Sequence, residues 1–152
     1  MRESKKLLVI GKVWPEPESS AAGLRILQII SIFKDNGYSI TFSSAASKSD
    51  FSADLNQLGI SEQPIELNSS SFNAFVKDLR PDVVLFDRFM IEEQFGWRVA
   101  ESVPDAIKIL DTEDLHFLRR ARELCLKNGR NPISEYRSYL QNEIMVRELA
   151  SI

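Results

Sequence analysis

The chain is poor in the residues that build covalent staples and metal centres. Its 152 residues contain one cysteine and one histidine. With Cys125 alone, an intramolecular disulfide is excluded, and so is a cysteine-rich zinc or iron–sulfur site. With His116 alone, multi-histidine metal sites are excluded and one candidate imidazole base remains. Proline and glycine are scarce, 6 of each, which excludes collagen-like and low-complexity architectures. Long hydrophobic runs are missing too. Nothing approaches the roughly 18 apolar residues of a membrane span. The apolar stretch Leu7–Ile10 behind the charged start is too short for a signal-peptide core. These absences give a cytoplasmic expectation, which suits a lone thiol. There is no excess of positive charge either. With 19 basic against 22 acidic residues, net −3, the chain is not expected to bind nucleic acid.

What is present is an ordinary globular composition, 43% hydrophobic, in a chain long enough to fold around its own core. Five short β-type runs alternate with helical patterns. The runs are Leu7–Ile10, Ser39–Ser43, Pro64–Leu67, Asp82–Phe86 and Ala106–Leu110. The first and fourth are continuously apolar, as strands buried on both faces should be. Arg80-Pro81 introduces the fourth, because a residue before proline is pushed out of the helical region. Ile26, Ile29, Ile30 and Phe33 sit at helical spacing, as do Phe72, Phe75, Val76 and Leu79. Asn36-Gly37 marks a helix stop. A weaker helix is expected over Phe51–Leu58, closing at Gly59, and another over Glu92–Ser102.

Alternating strands and helices imply βαβ units with right-handed crossovers. The expected fold is therefore α/β, a Rossmann-like three-layer domain with a mostly parallel sheet of at least five strands, plus C-terminal helices. Residues 1–130 are read as that domain. Residues 131–152 are read as a trailing helix that stops inside an apolar run, as a chain cut before a further domain would. In such sheets the ligand lies beyond the carboxyl ends of the strands. That rule selects the loops Gly11–Ala22, Ser43–Asp50, Asp87–Glu93 and Asp111–His116.

Most common uses of the fold lack their motif. Gly11-Lys-Val-Trp-Pro-Glu16 stands where a G-x-G-x-x-G dinucleotide turn would be. There is no G-x-x-x-x-G-K-[ST] phosphate loop and no G-x-S-x-G elbow. The acidic pair of a phospho-acceptor receiver is absent beside the first strand.

Three polar constellations remain. Trp14-Pro-Glu-Pro-Glu-Ser-Ser-Ala-Ala-Gly23 leads into the first helix. Ser19 or Ser20 can cap it, while the small Ala21, Ala22 and Gly23 suit either a packed helix start or the approach of an anion to its first amides. Asp111, Glu113, Asp114 and His116 cluster after the fifth strand, as helix caps or as a ligand site. Arg88, beside Asp87 and Glu92, can pair with a carboxylate of the chain or hold a phosphate. Trp14 in its loop is a candidate for stacking on a sugar, or for packing.

The proline-containing loop, the small-residue turn, the helix with Leu27-Gln28-Ile29-Ile30 and the following Asn36-Gly37-Tyr38 resemble a known arrangement. So do Asp82–Phe86 and Lys108-Ile-Leu-Asp-Thr-Glu-Asp-Leu-His116. Over roughly residues 5–120 the chain resembles the amino-terminal, acceptor-side domain of family-4 retaining glycosyltransferases of the GT-B fold. The resemblance implies transfer of a sugar from a nucleotide-sugar to an acceptor hydroxyl with retention, in bacterial surface-polysaccharide or glycolipid synthesis. Front-side attack is expected, with the leaving diphosphate helping to deprotonate the acceptor. The family's Gly-Gly turn near the donor diphosphate maps to Ser20, Ala21, Ala22 and Gly23, where only Gly23 is a glycine. Its polar residue after the fifth strand maps to Glu113, followed by Asp114, with His116 as the alternative. Gly11 and Arg88 join the donor-phosphate or acceptor set.

The resemblance implies no cofactor and no metal, the nucleotide-sugar being a co-substrate. The implied partners are that donor, a sugar or lipid-linked acceptor, and a missing C-terminal domain that carries a Glu-x7-Glu signature. Glu93 with Glu101 and Glu135 with Glu143 match that spacing by chance. The isolated 152-residue chain is then expected to be inactive. The basic run Arg119, Arg120, Arg122, Lys127 and Arg130 is either a solvated helix face or a peripheral contact with the inner face of a membrane. The competing reading is a non-catalytic adaptor that docks a catalytic chain or a second copy through Tyr136, Leu140, Ile144 and Leu149 of the last helix. A third is a stand-alone enzyme for a small phosphorylated ligand.

Overall fold

The computed structural model describes residues 4–112 and 116–129. The chain divides into two compact units, residues 1–113 and 114–152. The first unit is built in the order β1 (Lys6–Gly11), α1 (Ala21–Asp35), β2 (Ser39–Ser44), β3 (Ser61–Pro64), α2 (Ser70–Leu79), β4 (Val83–Asp87), α3 (Phe89–Ser102) and β5 (Ile107–Asp111). In the second unit, α4 (His116–Asn128) ends at Gly129, whose φ is 62°.

The five strands form one sheet in the order β3-β2-β1-β4-β5, every neighbouring pair parallel. This is the Rossmann-like α/β architecture. Leu7, Leu8, Val9 and Ile10 of the central strand are all fully buried, because helices cover both of its faces. Leu7, Val9, Ile40, Phe42, Val83 and Leu85 face α1, which contributes Ile26 and Ile30. Leu8, Ile10, Val84 and Phe86 face α2 and α3, which contribute Phe72, Val76, Phe95 and Val99. Right-handed crossovers dictate this split. From β1 the chain steps outward to β2, which puts α1 on one face. From β3 it steps back past β1 to β4, which puts α2 on the other. The step reverses between β1 and β4, and in sheets of this kind the carboxyl ends of the two strands at such a reversal flank the ligand crevice.

Two expected elements differ from what is observed. The third strand is Ser61–Pro64 rather than Pro64–Leu67. It is an edge strand, so it needs a backbone ladder with β2 more than an apolar face, and Pro64 is tolerated at its end. Ile65 still reaches the core just beyond it. Residues 51–59 form turns, not a helix. Tertiary partners take the donors a helix would use. The amide of Ala53 donates to the Pro15 carbonyl at 2.8 Å and that of Leu55 to the Glu62 carboxylate at 3.1 Å. Leu55 is nonetheless fully buried. The expected helix from Ile133 onward lies outside the described residues.

Candidate functional site

The first wall of the crevice is the segment from β1 to α1. Ser20 is the N-cap of α1, its hydroxyl accepting from the Gly23 amide at 3.0 Å. The amides of Ser19 and Ser20 donate to the Glu16 carbonyl, at 3.2 and 2.9 Å. Gly23 is buried, and a Cβ there would come within 2.6 Å of backbone atoms of Glu16. Gly11 is similarly constrained, since a Cβ would lie 2.4 Å from the Phe42 ring. Both glycines are therefore required by the chain's own packing. At Gly23 the backbone of Glu16 stands where a side chain would begin. Ala21 is exposed and Ala22 half-buried at the opening of the helix.

Trp14 is only 3% exposed. Its ring packs 5.6 Å from that of Phe42, its Nε1 donates to the Ala46 carbonyl at 2.7 Å, and the Lys48 ammonium lies 5.1 Å from the ring centre. With the indole in the core, no open face remains for stacking on a sugar; the structure favours the packing role. Trp14 also joins the first loop to the loop after β2. Ala53 donates to Pro15, and the Ser49 hydroxyl donates to the Glu16 carboxylate. Hydrogen bonds from Ser49 and Ser19 hold that carboxyl below the usual carboxylate range.

The opposite wall is charged. Asp87 and Asp111 end β4 and β5 and are paired in register, so alternation puts both side chains on the α1 face. Arg25, in the first turns of α1, grips Asp111 with two bonds: Nε to Oδ2 at 3.1 Å and Nη2 to Oδ1 at 3.0 Å. The Asp111 side chain is 9% exposed and that of Arg25 55%. The Nε of Arg88 lies 3.7 Å from Asp87 Oδ1. Arg88 stands at φ 80°, a region that costs a residue with a side chain about 1–3 kcal/mol. Its amide donates to the Asp111 carbonyl at 2.8 Å, which fixes the turn from β4 into α3 against the end of β5. The N-cap residue of α3, Arg88, makes no capping bond with its own side chain, whereas Ser20 caps α1.

The structure thus brings Gly11, Ser20, Ala21, Ala22, Gly23 and Arg88 to the carboxyl end of one sheet. Glu113 and Asp114 lie outside the described residues. His116 opens α4 in the second unit. The reading from sequence missed Arg25 and placed Asp111 in a cluster that was either helix caps or a ligand site, without its partner. No local pattern reports that pair, which joins residues 86 positions apart. Arginines held by carboxylates at a strand end can turn a guanidinium toward a phosphate or a carboxylate. Among the described residues there is no group of three or more potential metal ligands, and no helix is long and apolar enough to cross a membrane. No family model, curated protein or solved structure matches the chain.

Proposed function

We propose that the chain is the acceptor-side domain of a retaining glycosyltransferase. In this reading it forms half of a cleft in which a sugar passes from a nucleotide-sugar to an acceptor hydroxyl. The observation that carries it is the convergence, at the β1–β4 switch point, of two segments on which the resemblance rests, the loop into α1 and the end of β5 at Asp111, with the Asp87–Arg88 turn between them. Sugars are bound through hydroxyls, and fixed carboxylate–arginine pairs offer acceptors and donors in set directions. The packed state of Gly23 favours the acceptor side of the reaction over the donor side.

In this reading Arg88 meets the donor phosphates as charge develops on them. Glu113 or His116 supplies the polar group beside the transferring sugar, and the second domain supplies the nucleotide site. The setting is polysaccharide or glycolipid synthesis at the inner face of a membrane, on a sugar or lipid-linked acceptor.

The test is an amide-shift titration of the 152-residue chain by NMR. Mono- and disaccharide acceptors, UDP-glucose and GDP-mannose would each be added to millimolar concentration. The expected result is movement of the Lys12, Ala22 and Asp111 amides with at least one acceptor and of the Arg88 amide with a nucleotide-sugar, the latter lost in Arg88→Gln, without sugar transfer. Silence of these amides toward every sugar, or turnover by the chain alone, would overturn the reading.

A further inference from the structure

On α3 the solvent face carries what a solvent face should not. Ile91, Phe95, Gly96 and Val99 are its buried residues. A position about half a turn from their mean direction faces water, and Trp97 occupies it, 57% exposed. Met90, two turns earlier on the same side, is 45% exposed. The indole is also held in place. The Arg98 guanidinium stacks 4.4 Å from its ring centre and donates to the Asn73 Oδ1 of α2 at 2.6 Å. Asn73 in turn reaches Ser102 at 3.2 Å. A large aromatic fixed in this way loses little conformational freedom when covered, which is the property of a binding hot spot.

The charge around the ring states the partner's chemistry. Glu93 and Glu101 stand one turn before and one turn after Trp97, and both are exposed. Glu93 has no ion-pair partner among the described residues. Arg98, the cation on the ring, is committed to it and to Asn73. An apolar anchor between carboxylates excludes two occupants. A two-fold contact with a second copy would set these glutamates against each other. An anionic membrane would repel them.

We propose that the outer face of α3 docks a segment of another protein that carries lysines or arginines around an apolar anchor, with Trp97 at the centre of the contact. This surface lies on a helix face, separate from the crevice at the strand ends, so it does not depend on the glycosyltransferase reading.

Fluorescence tests it directly, because the chain has two tryptophans and Trp14 is buried. The probes are a synthetic amphipathic leucine–lysine peptide and its leucine–glutamate counterpart. The expected result is a saturable blue shift of emission with the basic peptide alone, weakened by salt. Trp97→Phe should remove the shift, with an unchanged circular dichroism spectrum. Glu93→Lys with Glu101→Lys should weaken binding about tenfold or more, and Glu93→Gln with Glu101→Gln by less. Four results would overturn the proposal: no shift, an equal shift with the acidic peptide, a shift that survives charge reversal, or a shift produced by dilution or by anionic vesicles without peptide.

Discussion

The carboxyl end of the sheet has two halves made of different materials. On the β1–β2 side the chain packs against itself. Trp14 sits in the core, Glu16 fills the space beside Gly23, and Ser49 reaches back to Glu16. On the β4–β5 side the strand ends carry Asp87 and Asp111, held by Arg88 and Arg25. Small residues at a helix start resemble a phosphate cradle from sequence, yet here they serve the close approach of a loop to a helix. The charged half, with a strained Arg88 between two carboxylate strand ends, keeps the features of a ligand wall.

The comparison can be broken in four ways, in falling order of effect. Trp14→Ala should cost about 3–5 kcal/mol of stability in urea unfolding, since a buried ring and the Ala46 bond are both lost. A loss below about 1 kcal/mol would mean that the first half is not packed as described.

Gly23→Ala should destabilise by about 1–3 kcal/mol, although alanine is the better helix former, because its Cβ meets fixed backbone at 2.6 Å. Gly96→Ala is the control. There the Cβ meets the movable end of Glu92 at 2.9 Å, so the change should be near neutral or stabilising by up to about 1 kcal/mol. Equal effects at the two glycines would remove the claim that Glu16 occupies the cradle.

Arg25→Ala should cost only about 0–1 kcal/mol, as its guanidinium is 55% exposed and largely screened. If the charged half serves ligand binding, the same variant changes the amide-shift response to sugars far more than the unfolding midpoint. A large loss of stability with an unchanged sugar response would make the pair structural.

The smallest effect concerns Glu16. Its carboxyl titrates below the usual range in the folded chain because Ser49 and Ser19 donate to it. The resulting stability is present above about pH 4.3, the ordinary value for glutamate. It is lost as the pH falls through the lower folded value. Glu16→Gln should therefore flatten the acid limb of the stability profile, lowering stability slightly at pH 7 and leaving it nearly unchanged below the folded value. An identical acid limb in the variant would show that these hydroxyls do not hold the carboxylate in solution.

Strands at 6–11, 39–44, 83–87 and 107–111 and the helices at 21–35 and 70–79 were legible in the sequence, because each carries its periodicity within a few turns of chain. Asn36-Gly37 and Arg80-Pro81 marked boundaries for the same local reason, and Gly37 does adopt a φ of 81°. The third strand and the turns at 51–59 were not legible, since both depend on partners outside the segment itself. β3 takes its register from β2. The turns give their donors to Pro15 and Glu62.

The candidate site divides along the same line. Its place at the strand ends follows from the alternation of elements, which the sequence by itself determined through hydrophobic period and chain chirality. Only the tertiary structure decided that Gly23 is filled by Glu16, that Trp14 is core, and that Arg25 holds Asp111. Each of these depends on which segments meet in space. Residues 86 positions apart leave no local signature of meeting, because the forces that join them act only once the sheet has brought them within a few ångströms.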